Sequence, residues 1–108
     1  MIAKVSTPAE VFVVYFVAER LNDYLRLAAR LRAAGFGVEL YPEAKKLGQQ
    51  LKYADRRGFK AAIIAGEDEL AAGNCQIKNL ASGESVTVPL TGDLAAEIGK
   101  IVRPPVQG

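Results

Sequence analysis

The feature that most constrains the fold is the regular alternation along the chain of short apolar, β-rich runs and longer stretches with helical periodicity. Residues 11–18 read VFVVYFVA, a run of eight apolar residues. Such a run predicts a strand that is buried on both faces of a sheet. Residues 36–41 and 60–65 are two further strands, and helical stripes occupy the stretches between the three. The pattern β-α-β-α-β predicts parallel strands joined by right-handed crossovers.

Two helices are expected between these strands, over residues 19–34 and 44–57. In the first, apolar residues recur at helical spacing and predict a buried stripe, which comprises Leu21, Tyr24, Leu25, Ala28 and Leu31. In the second, Leu47, Leu51 and Ala54 fall within about 60° of one another and predict the buried face. Gly35 and Gly58 follow the two helices and suit left-handed helix ends.

The rest of the chain adds a hairpin and a last helix. Residues 75–80 alternate in polarity, a turn over residues 81–84 follows, and residues 85–90 return as a strand. Thr91 and Asp93 suit the start of a helix. We therefore predict one α/β domain over residues 11–102, three-layer-like, with a mixed sheet of about five strands and about three helices. Residues 1–10 are expected to be a linker and residues 103–108 a tail.

The composition narrows the possible functions. The chain has no histidine and one cysteine, Cys75. Without histidine, neither a Ser/His/Asp nor a Cys/His catalytic arrangement is possible, and the usual zinc sites are excluded as well. A single cysteine fits a reducing compartment, and the sequence shows no signal peptide and no long apolar run. These features predict a cytoplasmic protein.

Positive charge is concentrated in the second helix and the residues just after it. Residues 45–60 hold six basic side chains and one acid, a local charge of +5, whereas the whole chain carries +2. Amide, aromatic and basic groups lie side by side on this helix, and that mixture suits RNA phosphates and base edges. One flank carries Lys46, Gln50, Tyr53 and Arg57. The alternative is that these groups form an ordinary charged helix surface that faces water. The charge alone does not distinguish this interpretation from RNA binding.

Three consecutive acids, Glu67, Asp68 and Glu69, follow the third strand. Open α/β sheets usually bind ligands at this edge. Adjacent carboxylates do not converge on one metal ion without further oxygen donors, however, and the sequence places none. We interpret Asp68 as an acid in the first turn of a short helix. We expect no metal site, no cofactor and no catalytic residue in this chain.

Four short motifs follow one another along the chain. They are Gly37-Val38-Glu39-Leu40, Lys46-Leu47-x-x-Gln50-Leu51-Lys52-Tyr53-Ala54-Asp55, Gly66-Glu67-Asp68-Glu69-Leu70-x-x-Gly73 and Ile77-Lys78-Asn79-Leu80-x-x-Gly83-Glu84. In this order they resemble the C-terminal anticodon-binding domain of class II aminoacyl-tRNA synthetases, most of all histidyl-tRNA synthetase. The resemblance spans nearly the whole chain. Gly48 departs from it, because a basic residue is expected there.

The resemblance implies three principal RNA-binding residues. Lys52 matches a basic residue that approaches the anticodon stem-loop. Glu69 matches an acid that accepts hydrogen bonds from a base edge, and Lys78 matches a basic residue that reads or clamps an anticodon nucleotide. The helical pattern adds weaker candidates, which are Lys46, Gln50, Tyr53 and Arg57.

The resemblance also implies that the chain is one part of a larger enzyme. Nothing in the sequence resembles the class II catalytic motifs, so ATP and magnesium would belong to a separate catalytic domain. We expect this domain to bind histidine tRNA, to partner that catalytic domain and to be monomeric when isolated. The alternatives are a free-standing paralogue that binds RNA or protein in a regulatory or accessory role, a small-molecule-binding α/β domain, and an enzyme that uses Glu67, Asp68 and Glu69.

Overall fold

A computed structural model describes residues 10–15, 17–41, 43 and 46–102. The elements in chain order are β1 (Val11–Val13), a 3-10 turn (Ala18–Arg20), α1 (Leu21–Ala33), β2 (Val38–Leu40), α2 (Leu47–Arg57), β3 (Ala61–Ile64), α3 (Glu67–Ala72), β4 (Asn74–Asn79), β5 (Ser85–Pro89) and α4 (Leu94–Val102). The five strands lie in the order β2-β1-β3-β4-β5. β1 runs parallel to β2 and β3, and the β3–β4 and β4–β5 pairs are antiparallel. The predicted α/β fold with a mixed sheet is confirmed.

Helices lie on both faces of the sheet because β1 is apolar on both of its faces. Val11 and Val13 belong to the larger buried cluster, to which α1 and α4 contribute. Phe12 and Val14 belong to a second cluster, which Ala54 of α2 completes. The uninterrupted apolar run that defined the first predicted strand therefore reflects a position between two helical layers.

The buried stripe of α1 is rotated from the predicted one. Its buried residues are Tyr24, Leu27, Ala28 and Leu31, whereas Leu21 and Leu25 are 38% and 44% exposed. The prediction was wrong for these two leucines. At 100° per residue Leu25 lies roughly 110° from the centre of the observed stripe, whereas Leu27 lies roughly 50° from it, at one edge of the stripe. The buried Tyr24 hydroxyl also donates to the Ala65 carbonyl at 2.7 Å, which ties α1 to the end of β3.

β1 is shorter than the predicted strand over residues 11–18. It ends at Val13, and Ala18 already belongs to the 3-10 turn. The Val14 amide still donates to the Ile63 carbonyl at 3.0 Å. The backbone of Tyr15, however, bonds to a side chain, that of Gln50, instead of a neighbouring strand.

The second predicted helix begins partly outside the described residues. Positions 44 and 45 are not described, and α2 runs from Leu47 to Arg57. Gly58 follows it and ends the helix with φ 81°, in the left-handed conformation expected of glycine. Apart from residue 10, the predicted linker and tail also lie outside the described ranges. Within those ranges, none of the helices combines the length and the apolar character that a bilayer crossing requires.

Candidate nucleic-acid interface

A groove runs between α2 and β4 on the face of the sheet that α2 covers. Its volume is about 280 Å³, and it brings together residues from two segments that are far apart in the sequence. The lining residues are Gly48, Leu51, Lys52, Asp55, Lys78 and Leu80. Two of the three principal candidates, Lys52 and Lys78, thus lie in one groove.

The sheet topology explains how these two lysines meet. α2 packs through Ala54 against Phe12 and Val14 of the β1 segment. β4 pairs with β3 so that Lys78 lies opposite Ala62. Alternate strand residues point to opposite faces, and Ile77 is buried in the larger cluster on the other face. Lys78 therefore projects toward the side of α2.

Both lysines are available to a ligand. Lys52 is exposed and Lys78 is half-buried. Neither ammonium group makes a hydrogen bond or an ion pair with any described residue, in contrast to Lys100, which pairs with Glu97 at 3.4 Å. A partly buried, unpaired ammonium group attracts an anion more strongly than a fully solvated one, since water screens it less.

The floor of the groove is apolar, and the groove is open beside Gly48. Leu51 and Leu80 pack against the Phe12 cluster. Gly48 contributes no side chain, and a Cβ built there meets no atom within 4 Å. The departure of Gly48 from the basic residue expected by resemblance therefore widens the groove. Asp55 is an acid on its rim that the sequence reasoning did not select as a site residue, although it belongs to the motif around Lys52.

Glu69 lies at the start of α3 and is not among the described residues that line the groove. Its Oε1 atom accepts from the Gly66 amide at 2.7 Å, which satisfies a free N–H group at the helix start. The side chain is half-buried. One oxygen is thus engaged by the fold, and contact with a base edge through the other stays a prediction.

Gln50 has a different role from the predicted one. The residue is 0% exposed. Its Oε1 atom accepts from the Tyr15 amide at 2.8 Å and its Nε2 atom donates to the Tyr15 carbonyl at 2.6 Å. Because the side chain is fully enclosed and both ends of its amide are bonded to the backbone, it is not accessible to RNA. The assignment of Gln50 as an RNA contact was wrong, since polar helical periodicity does not distinguish an exposed amide from a buried one.

Tyr53 and Arg57 lie on the β2 side of α2, away from the groove. The Tyr53 hydroxyl donates to Glu39 Oε2 at 2.6 Å and accepts from Arg57 Nη1 at 3.0 Å. This hydrogen bond to a carboxylate is the main reason that the pKa of Tyr53 lies above its usual value. The ring packs against Phe12 and Tyr41 at centroid distances of 5.6 and 5.2 Å. Tyr53 is therefore engaged within the fold, which leaves little of its ring for stacking on a base.

Lys46 precedes α2 and is exposed, but it is not one of the described groove residues.

Glu67 is paired with Arg20 across the gap between α3 and the 3-10 turn. That contact lowers the pKa of Glu67 and raises that of Arg20. Among the described residues, no three His, Cys, Asp or Glu side chains cluster as metal ligands would. Two of the three consecutive acids after β3 are thus engaged within the fold. Glu69 accepts from a backbone amide at the start of α3, and Glu67 forms an ion pair.

The groove and its topology can be compared with known proteins. A family model described as "Anticodon binding domain" matches residues 10–100. The chain belongs to this family. The anticodon-binding domain resembles a histidine–tRNA ligase of Rhodopirellula baltica with 60% identity over 84 residues, which is 78% of this chain and 19% of that protein. A histidine–tRNA ligase of Nostoc sp. is 44% identical over 92 residues, 85% of this chain and 20% of that protein.

Solved structures agree with the assignment. The histidyl-tRNA synthetase of Nostoc sp. PCC 7120 superposes with a TM-score of 0.82 and 42% identity, covering 87% of this chain and 22% of that one. The RNA-binding domain of threonyl-tRNA synthetase from Cryptosporidium parvum shares the fold, with a TM-score of 0.77 at 12% identity, over 88% of this chain and 24% of that one. The anticodon-binding domain therefore spans about a fifth of the length of the curated relatives quoted above.

Proposed function

We propose that this chain is the tRNA anticodon-loop-binding module of a histidyl-tRNA synthetase and supplies tRNA recognition to a catalytic domain outside the sequence. The observation that carries the proposal is the groove in which Lys52 and Lys78 meet without partners among the described residues. Unpaired lysines beside an apolar floor suit an RNA loop, whose phosphates are anionic and whose bases are unstacked. The family membership and the histidine–tRNA ligase relatives support the same assignment.

In this proposal the domain performs no chemistry. ATP and magnesium belong to the catalytic domain, which is the second partner besides histidine tRNA. The module adds affinity and discrimination as a tethered second binding site, so its own affinity can be weak. We also propose that it works in the cytoplasm and is a monomer when isolated.

The proposal is tested by measuring binding of histidine tRNA in a filter assay or a mobility shift, with a tRNA of altered anticodon as competitor. Lys52→Ala and Lys78→Ala should each weaken binding, because each removes a positive charge from the groove. If each lysine contacts a phosphate of the single-stranded loop, the slope of log affinity against log salt should fall by about 0.7 per variant.

Lys100→Ala is the matched control. Lys100 is an exposed lysine of α4, a helix that packs on the opposite face of the sheet. This variant should bind tRNA like the parent chain. Circular dichroism should show that all three variants keep the parent fold. Equal binding of both tRNAs, or unchanged binding in both groove variants, contradicts the proposed site.

A free-standing accessory paralogue makes a different prediction. Such a protein would bind RNA or protein without preferring the histidine anticodon, so the competitor tRNA separates the two cases. The groove favours the anticodon-binding proposal, because it joins two of the residues that the family resemblance singled out.

A further inference from the structure

The half of the sheet that α2 leaves uncovered carries a ladder of polar side chains beside the groove. β4 and β5 pair so that Gln76 lies opposite Thr87 and Lys78 lies opposite Ser85. Cys75 and Ile77 alternate with Gln76 and Lys78 and are buried on the other face. The four ladder residues therefore share the face that contains the groove, and Gln76 continues from Lys78 toward the start of β4.

The ladder is open to solvent. Ser85 and Thr87 are exposed, and Gln76 and Lys78 are half-buried. None of the four side chains forms a hydrogen bond or an ion pair with a described residue. The apolar cluster beneath α2 reaches as far as Ile64 of β3 and Leu80, so no helix in the described part of the chain covers this face of β4 and β5.

The chemistry of the ladder differs from that of the groove. Gln76, Thr87 and Ser85 are neutral, and each can both donate and accept hydrogen bonds. None of them is aromatic, so these three side chains offer no ring on which a base could stack, unlike sheets that bind RNA through exposed rings. The hydroxyl groups of Ser85 and Thr87 lie close to the backbone, so a ligand has to approach the sheet closely.

We infer that Gln76, Thr87 and Ser85 bind ribose 2′-hydroxyl groups of an RNA strand that leaves the groove at Lys78. A 2′-hydroxyl is both donor and acceptor, which matches amide and hydroxyl side chains, and it is the group that distinguishes RNA from DNA. Lys78 holds a phosphate at the junction, and the neutral ladder contacts the sugars next to it. The inference rests on the proposed function, since it needs an RNA loop in the groove.

The experiment uses an RNA hairpin with the histidine tRNA anticodon stem and loop, and the same hairpin with 2′-deoxyribose at the loop nucleotides. Fluorescence anisotropy measures the affinity of each for the chain. The parent chain should bind the all-ribose hairpin about 5- to 50-fold more tightly, which is the range for one or two neutral hydrogen bonds. The double variant Gln76→Ala/Thr87→Val should bind the two hairpins equally and should bind the deoxy hairpin as the parent does.

Matched controls separate the ladder from general effects. Gln49→Ala removes the same side chain from an exposed position of α2, and Thr91→Val makes the same change at an exposed position beyond β5. Both should keep the parent ratio between the two hairpins. Lys78→Ala should weaken both hairpins and lower the salt dependence.

The possible failures are distinguishable. If the parent chain binds both hairpins equally well, or if the double variant keeps the parent ratio, the inference is overturned and the proposed function stands. If the parent chain binds neither hairpin, the proposed function fails and the inference fails with it.

Discussion

Replacing Gln50 by leucine tests how α2 is attached to the sheet. The side chain is completely buried, and its amide closes two hydrogen bonds, at 2.8 and 2.6 Å, with the backbone of Tyr15. Leucine has a similar size, so the change creates little cavity. It leaves the Tyr15 amide and carbonyl without the partners that Gln50 supplies, and each unsatisfied buried group costs about 1–3 kcal/mol.

Because the leucine side chain gains some burial energy, we expect a net loss of about 2–4 kcal/mol in the free energy of unfolding. A domain of this size is stable by about 5–15 kcal/mol in total, so the loss is a large part of it. The corresponding drop in melting temperature is about 10–25 °C. Urea unfolding followed by circular dichroism measures the free energy, and a thermal scan measures the midpoint.

Gln49→Leu is the control, since Gln49 is an exposed neighbour on the same helix; its effect should stay within about 0.5 kcal/mol. If Gln50→Leu is as stable as Gln49→Leu, the hydrogen bonds to Tyr15 do not hold α2 in place and the reasoning is refuted. Gln50→Glu adds a second check. A neutral carboxylic acid at this position can keep both bonds, whereas its charged form cannot donate.

Burial should therefore raise the folded-state pKa of the carboxyl group introduced by Gln50→Glu above its unfolded value of about 4.3. Relative to the parent, this variant should be most stable below that value and should lose stability as the pH rises through the raised folded value. The measurement is urea unfolding of both chains between pH 4 and pH 8. A stability difference that does not change over this range contradicts the predicted hydrogen-bond pattern.

Three further outcomes are expected. Tyr53→Phe removes the hydrogen bond to Glu39 and should lower the free energy of unfolding by about 1 kcal/mol without changing tRNA affinity, because Tyr53 lies outside the groove; a loss of affinity in a folded variant contradicts this placement. Burial raises the pKa of the Cys75 thiol to about 11 from its ordinary value of 9.0, so the native thiol should resist iodoacetamide at pH 8. The thiol of the unfolded chain ionises at a lower pH than the buried thiol. The free energy of unfolding of the parent relative to Cys75→Ala should therefore be greatest below pH 9 and should decrease by up to about 3 kcal/mol as the pH approaches 11. A difference in free energy that does not change with pH argues against the buried thiol. Leu27→Ala should lower the free energy of unfolding by about 2–4 kcal/mol, whereas Leu25→Ala should change it by less than about 1 kcal/mol, because only Leu27 is buried; similar losses would indicate that α1 packs through the stripe that periodicity predicts.

Much of the fold was predictable because short sequence patterns specify its strands and the ends of its helices. An apolar run without alternation, such as that around Phe12, indicates a strand between two layers, and the structure places β1 there. Gly58 indicated the end of α2, since few residues other than glycine tolerate the left-handed conformation. The alternation around Ile77 indicated a strand with one buried face, and the structure buries the face that holds Cys75 and Ile77.

The candidate site was predictable only in part. Lys52 and Lys78 were selected by resemblance to a family, and the structure brings them together. Gln50 was selected by helical periodicity and proved to be buried. A helical pattern gives the angular position of a residue on the helix, but it does not show which other segments of the chain pack over that residue. The Tyr15 backbone that receives Gln50 is 35 residues away in the chain, so no local window contains both partners.

The sequence by itself determined the order of strands and helices, the excess of positive charge around α2 and the absence of histidine chemistry. These properties depend on composition and on periods of two and 3.6 residues, which are local. Only the tertiary structure decided which leucines of α1 are buried, that Tyr53 belongs to an internal aromatic contact, and that the face of β4 and β5 beside Lys78 is left open by the described helices. Those outcomes depend on how α1 and α2 dock onto a shared sheet, and docking is set by contacts between residues that are distant in the chain.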